Sequence, residues 1–467
     1  MTVTRPLARK NQVPAALQRD KEAVSEMRSV SDWAPTGRRP LWAATAAGAL
    51  FLAGCGAAAP TAASTSGKTP VVQISLWESH SPGGPPGQTM AALVSQFNKT
   101  HPRIQIDLTV TKASHKALGA LAAGDAPVLA EISHYDGNFL AANALVSWNS
   151  MMNGPGGMSK KEQKAIYPVV WGNGAVNGQH YRLQADSKVS QLTYNKALFA
   201  KAGITHPPTT WAQLASDVAL IKQKLPGVIP LAWKDSSAHI LPPLLSNGGQ
   251  IFKPGSHQSE ADFTSPAAVA TFTYFRNLYQ QGDMIFAHGS QIRADFGAGK
   301  LAIADGTSAG YQKVLDAVGG KFPVGVFAYP AGSTGHSANL VQGLGFVLMV
   351  GHNGPAEKAA MTFIDWWFSG KTQAYWGTHS GYPPESTLAA KYISKGYLSS
   401  HPGVSVAMQI LQSPYTIARP IPTSYKEVQA EIDAAFYNAV TGRTSVSAAL
   451  QQLETQANSY LSGNSAI

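Results

Sequence analysis

The chain has 467 residues, with 36 Lys and Arg against 26 Asp and Glu, a formal net charge of +10, and one cysteine. A single cysteine excludes an intrachain disulfide framework, and the positive charge forms no Lys/Arg-rich block of the kind that marks a nucleic-acid binder. The chain also lacks a Walker A lysine loop, a dinucleotide glycine fingerprint and His/Cys metal spacing, so neither cofactor nor metal is expected from its motifs.

From the N-terminus, Arg38-Arg39 leads into an apolar run of 13 residues, Leu41 to Ala53, and then into Leu52-Ala53-Gly54-Cys55. Charged, apolar and small-residue segments in this order describe a secretory signal too short to span a membrane. The small residues before Cys55 resemble the lipobox of bacterial lipoproteins. That resemblance implies removal of residues 1–54, diacylation of Cys55, and a flexible tether over 55–69, with two acyl chains giving a stable anchor. Arg38-Arg39 also fits a twin-arginine signal, and Met27 fits a later start. Without residues 1–54 the chain carries 28 basic and 22 acidic residues, net +6, which suits an anionic ligand or an acidic envelope surface. The roughly 410 residues that follow exceed one hydrophobic core and imply two lobes.

Residues 71–77 then read as a strand, and Met90 to Phe97 as a helix with apolar side chains at 90, 93, 94 and 97. His101-Pro102 stops that helix, and residues 104–110 alternate as a strand. A helix over 116–123, a Gly124-Asp125-Ala126-Pro127 turn and a strand over 128–132 continue the pattern. Strand and helix alternating at this spacing predict a parallel sheet covered by helices. The pattern resumes over 191–202, with helices at 210–224 and 265–281, strands at 300–304, 323–328 and 343–350, and a helix at 355–368. Two amphipathic helices, 425–440 and 445–461, end the chain, with Gly442 between them.

Three strings carry a resemblance. Gln191 to Gly203 (QLTYNKALFAKAG) is followed by Pro208-Thr209-Thr210-Trp211. Phe296 to Ile303 reads FGAGKLAI, and Trp376 to Pro384 reads WGTHSGYPP. In this order they resemble the family 1 extracellular solute-binding proteins, the receptors of carbohydrate ABC importers, over nearly all of 71–467. Leu76-Trp77-Glu78-Ser79-His80, the 124–127 turn and Arg419 look most like the branch that binds glycerol-3-phosphate and glycerophosphodiesters. Maltose- and trehalose-type receptors stay open. The resemblance implies an α/β, two-lobed periplasmic-binding-protein fold of type II with three crossover segments. The first lobe would hold 70–187 and 326–379, and the second 188–325 and 380–467. It further implies a monomer, exported and lipid-anchored on the outer face of the bacterial cell membrane, that closes on a small-molecule sugar or glycerol-phosphate ligand and delivers it to ABC permease subunits.

The resemblance also implies site residues. His115 falls where the glycerol-phosphate branch has a tyrosine. His134, Tyr135 and Asp136 fall where the family places a carboxylate for ligand hydroxyls, with a surface loop as the alternative. Ser187 and Lys188 fall at the first crossover, where the branch has a serine pair, and a lysine there suits an anion. Trp233 falls near an aromatic stacking face, with core packing as the alternative. Ser308 and Gly343 match a polar clamp and a close backbone approach. Tyr382 falls in the third crossover, and Arg419 lies far in sequence from any acidic partner. Tyr194-Asn195-Lys196 reads as a strand end and helix cap, while Trp211, Trp366 and Trp367 read as core.

A rival reading is a secreted, lipid-anchored serine hydrolase. Gly306-Thr307-Ser308-Ala309-Gly310 fits G-x-S-x-G between a predicted strand and helix, and Asp365 and His379 follow in the order of a hydrolase triad.

Overall fold

The computed structural model describes residues 70–133, 136–154 and 156–463. The expected signal, Cys55, the tether, and His134 and Tyr135 lie outside the described residues. No helix among the described residues is long and apolar enough to cross a membrane.

Two sheets organise the chain. The first runs in the order Ile104–Val110, Val72–Glu78, Leu129–Ile132, Gly345–Met349, Leu145–Val146, with Arg182–Gln184 also paired to Gly345–Met349. Its opening strands are parallel, as the strand–helix alternation predicts, and Gly345–Met349 returns antiparallel to Leu129–Ile132. The second runs Met284–Phe286, Ile229–Trp233, Leu301–Thr307, Ser190–Asn195, Val324–Ala328. Period-two alternation in Val72–Glu78 turns Ile74, Leu76 and Glu78 to the buried side. A carboxylate is therefore carried inside at the carboxyl end of the first strand.

The helices follow their local signals. Pro85–Thr100 starts with prolines in its first turn and buries Met90, Leu93, Val94 and Phe97. The side chain of Asn195 accepts hydrogen bonds from the amides of Ala197 and Leu198, so the Tyr194-Asn195-Lys196 string does end a strand and cap the helix Lys196–Ala202. Gly203 closes that helix at φ 86°, a left-handed conformation open to glycine without a Cβ penalty. Thr210 and Gln213 form a reciprocal capping box on Trp211–Lys224.

Each sheet has its own core. Leu76, Leu93, Phe97, Phe346, Phe363 and Trp367 belong to the first, and Leu192, Trp211, Leu231, Phe275, Val428 and Phe436 to the second. This partition moves two of the expected boundaries. Val324–Ala328 pairs with Ser190–Asn195, so the chain re-enters the first sheet only at Gly345 rather than at 326. Ala407, Ile410 and Leu411 still pack in the first core, so the third crossing comes after Gln412, through Thr416–Ile417 paired with Asn339–Leu340. Tyr382 accordingly packs against the first core and is not part of the third crossover.

Trp233 also departs from the stacking expectation. It has 0% exposure and sits among Phe275 (ring centroids 4.8 Å), Tyr329 (5.1 Å) and Trp211 (6.1 Å). A side chain on the last residue of a central strand, covered by helices on that face, is sealed from any ligand. Trp233→Ala is expected to cost about 3–5 kcal/mol of stability while leaving ligand affinity within a few-fold of wild type, as measured by urea unfolding and calorimetry.

Candidate ligand-binding cleft

Between the two sheets lies a cleft of about 780 Å³. Ser79, His80, Lys112, Ser114, His115 and Ser133 line it from the first lobe, and Ser236, Ser237, Lys426, Gln429 and Asp433 from the second. The crossing segments contribute Asp186, Lys188, Gln342 and Gly343, and Tyr382 completes the wall. Ser79, His80 and Ser133 follow strands of the first sheet, and Ser236 follows a strand of the second. The cleft therefore opens at the carboxyl ends of strands, the usual ligand position in open α/β sheets.

Hydroxyls, amides and cations dominate this lining. Lys112 and His115, in the first turn of the helix Ala113–Ala122 and just before it, are exposed at the rim. Lys188 lies deeper, between the lobes, where its backbone pairs with Gln342 across two crossings (2.9 and 3.0 Å). Burial lowers the Lys188 pKa, with the Asp186 charge acting against it. Among the described residues its ammonium has no ion-pair partner. The Tyr382 ring stacks near Trp376 (5.9 Å, 27°) and stands edge-on to His80 (5.7 Å, 71°). The Asp186 charge, then burial, and the Glu131 and Glu78 charges raise the Tyr382 pKa, so its hydroxyl is a hydrogen-bond donor at neutral pH. On the second lobe, the amide of Ser237 at the start of Ser237–Ser246 donates to Asp433. Burial raises the Asp433 pKa to about 6, with the Ser237 hydrogen bonds opposing it.

Beneath this surface the chain buries a dense set of charges. His80 Nδ1 is 2.8 Å from Glu78 Oε1, and Nε2 is 2.7 Å from Asp186 Oδ2. Burial disfavours the imidazolium, but the Asp186 and Glu78 hydrogen bonds and the Glu131 charge override it and raise the His80 pKa to about 11. Glu131, fully buried, is pushed up to about 8 by burial, with His80 pulling it down. Asp136 lies between two guanidinium groups, 2.8 Å from Arg182 Nε and 3.3 Å from Arg419 Nη2, while Arg419 Nη1 donates to Ser133 Oγ at 2.9 Å. The Arg182 contact is short but not aligned with its N–H, so it acts as charge attraction rather than as a linear hydrogen bond.

The expected site residues thus fall into distinct places. His115, Lys188, Gly343 and Tyr382 line the cleft. Asp136 and Arg419 stand behind Ser133, and Arg419 has the acidic partner that the sequence did not suggest. Ser187 is fully buried and donates to Glu385 Oε1 at 2.7 Å. Ser308 is buried and its Oγ accepts from the Val189 amide at 3.2 Å, holding the first crossing against the second sheet. Gly343 has φ 129°, and a Cβ there would collide with the Asp186 backbone oxygen. His80, Asp186 and Gln342 were not singled out from sequence. His80 ends Leu-Trp-Glu-Ser-His at a strand terminus, a signal that was available, whereas Asp186 and Gln342 meet only through the crossing geometry.

The serine-hydrolase arrangement is not assembled. The strand Leu301–Thr307, a short 3-10 turn and the helix Tyr311–Val318 do surround Ser308. The His379 ring, however, is bonded to Tyr375 O at 2.9 Å and stacked on the Tyr375 ring in the first lobe, and Asp365 lies beside Glu162.

The profile of the bacterial extracellular solute-binding proteins matches residues 92–397. The chain belongs to this family. Family members are solute-binding proteins, and Ser308 is not among the residues that line the cleft. The sn-glycerol-3-phosphate-binding periplasmic protein UgpB of Yersinia pestis is 23% identical over 366 residues, covering 74% of this chain and 81% of that one. Among solved structures, the sugar-binding protein MalE of Xanthomonas citri aligns with a TM-score of 0.74 at 20% identity, over 84% of this chain and 98% of that one. UgpB of Mycobacterium tuberculosis, in complex with glycerophosphocholine, aligns with a TM-score of 0.72 at 20% identity, over 85% and 99%. The fold is therefore the type II periplasmic-binding-protein fold, with three crossings between lobes.

Asp136→Asn tests the buried network. It leaves two guanidinium groups without their shared counter-charge, so a loss of about 3–5 kcal/mol in unfolding free energy is expected. Glu260→Gln, which removes only an exposed pair with Lys253, is expected to change stability by less than about 1 kcal/mol in the same assay.

Proposed function

We propose that this chain is the receptor of an ABC importer. It captures a carbohydrate or glycerol-phosphate-type solute between its lobes and passes it unchanged to a membrane permease. The family and the interlobe cleft support this reading, because a ligand touching both lobes stabilises the closed arrangement by contacts that the open one cannot make. Lys188 carries the choice of solute. A half-buried ammonium at the base of a hydroxyl-lined cleft, with no ion-pair partner among the described residues, favours an anionic ligand that supplies one. The name of one relative points the same way: UgpB of Yersinia pestis is an sn-glycerol-3-phosphate-binding protein. Arg419, already paired, would act through the position of Ser133 rather than as the anion's direct partner. Ser187, hydrogen-bonded to Glu385, would shape the site from behind, and Trp233 serves the core of the second lobe.

Calorimetry with sn-glycerol-3-phosphate, glycerophosphocholine and maltose tests the reading. A phosphate ligand should bind without turnover, lower the radius of gyration in solution scattering, and bind more weakly as salt is added. Lys188→Ala should weaken that binding by about 1.5–3 kcal/mol. Tight, salt-insensitive binding of maltose that ignores Lys188→Ala would instead place the protein with the sugar receptors.

We further propose export with lipid anchoring at Cys55. Cys55→Ala should move the protein from the membrane fraction to the soluble fraction, and unchanged membrane retention would reject the anchor.

A further inference from the structure

The buried acids under the cleft exceed what the solute-binding reading uses. Glu78, His80 and Glu131 have donor atoms that all lie within 4.8 Å of one another. Their spacing in sequence, two residues and then 51, matches no metal motif, so only the pairing of the strand Val72–Glu78 with Leu129–Ile132 brings them together.

We propose that Glu78, His80 and Glu131 form a binding site for a divalent transition-metal ion beneath the cleft floor. His80 Nδ1 is 2.8 Å from Glu78 Oε1 and 3.7 Å from Glu131 Oε2. Metal bonds of about 2.0–2.2 Å to nitrogen and oxygen set neighbouring donors roughly 3–3.5 Å apart, so these two distances bracket a coordination edge. The other ring nitrogen faces Asp186 Oδ2 at 2.7 Å. A carboxylate in that place keeps the proton on Nε2, so a metal that displaces the Nδ1 proton now facing Glu78 takes up that nitrogen's lone pair, the usual outer-shell arrangement of a ligating histidine. Glu131 is oriented in turn, because the Ser79 amide donates to its Oε2 at 3.2 Å.

A second observation points to a bound cation. Glu78 and Glu131 both have 0% exposure, yet Glu78 Oε2 and Glu131 Oε1 have no hydrogen-bond partner. Carboxylate oxygens buried without a donor are costly. The proton on His80 satisfies one oxygen of Glu78 but gives no donor to Glu78 Oε2 or Glu131 Oε1, whereas a dication that displaces the protons on His80 and Glu131 matches the charge of the two carboxylates. One imidazole and two carboxylates, with no thiolate, select Zn²⁺ or Mn²⁺ over Cu(I), which prefers sulfur, and over Ca²⁺ and Mg²⁺, which prefer all-oxygen shells. The site is independent of which solute enters the cleft.

The test is titration of the chelator-treated full chain with Zn²⁺ by calorimetry and with Mn²⁺ by electron paramagnetic resonance, with no solute present. Trp376, whose ring lies 6.0 Å from His80, gives a fluorescence readout. One saturable site per chain is expected, weakened about tenfold or more in Glu131→Gln and in Glu78→Gln. His379→Ala, which alters an exposed histidine, should leave it unchanged. Circular dichroism of each variant separates loss of the site from loss of the fold. The Mn²⁺ spectrum of the unaltered chain decides the matter should both variants fail to fold. Absence of a saturable site up to millimolar metal in the unaltered chain, or a site that survives both substitutions in folded protein, overturns the proposal.

Discussion

Asp186 ties together three segments that are distant in the chain, and the cleft exists because of it. Its Oδ2 faces His80 at the end of the first strand (2.7 Å), and its Oδ1 accepts from the Leu344 amide (2.8 Å). Its backbone oxygen accepts from Gln184 Nε2 (2.6 Å) and lies against Gly343, where no side chain fits. The first and second crossings are thereby locked to the floor of the first lobe, and the Lys188–Gln342 bridge follows two residues later. A carboxylate buried at this point is tolerated only because charged and backbone donors surround it. The same donors orient the cleft: Lys188 is aimed between the lobes by the segment that Asp186 anchors.

Charge is sorted by depth. Arg182 and Arg419 share Asp136 and are spent on holding the third crossing to the first lobe, since Arg419 belongs to the segment that leads away from Gln412. Lys188 is not paired in this way, and Lys112 and His115 stand at the rim. The distinction matters for recognition. A guanidinium already compensated by a carboxylate offers little net attraction to an anion, whereas a partly desolvated ammonium without a counter-ion gains a charge-assisted contact when one arrives. The basic excess of the sequence therefore says less about the ligand than the pairing of each cation does.

Much of the architecture was legible. Alternation in Val72–Glu78 and Ile104–Val110, the helical stripe ending at Phe97, and the Asn195 cap are local signals, and the structure uses them as read. The misses have physical causes. The helix Ser237–Ser246 contains Pro242-Pro243, which argue against a helix interior in isolation. Helices Lys395–Ser400 and Pro402–Gln412 stay with the first core through Ala407, Ile410 and Leu411, a tertiary choice that no local pattern announces. Trp233 ends a strand at the cleft edge in sequence terms, but the aromatic rings packed on its face take it inside. Lys188, carried by a single crossing segment, lines the cleft as its sequence position suggests, whereas Tyr382 lines it from the first lobe and not from the third crossover. Site residues defined by the meeting of segments, such as Asp186 and Gln342, could not be placed.

The same logic explains why side-chain hydrogen bonds fix the crossings. The crossings are held by Ser308 Oγ on the Val189 amide, by the Ser187–Glu385 hydrogen bond, and by the Asn339 side chain, which donates to Ser190 O at 2.8 Å and accepts from its amide at 3.1 Å. Side-chain hydrogen bonds of this kind set a segment's direction while adding little net stability each, unlike the apolar contacts that fill the two cores. A continuous hydrophobic core across the crossings would weld the lobes, because packed interiors resist gradual deformation. Two separate cores joined by short, hydrogen-bonded crossings leave the lobes rigid and concentrate any change of angle in the segments that also carry Asp186, Lys188 and Gly343. Under the proposed function, hinge and ligand contacts reside in the same residues, so a solute that engages Lys188 acts directly on the segment about which the lobes turn.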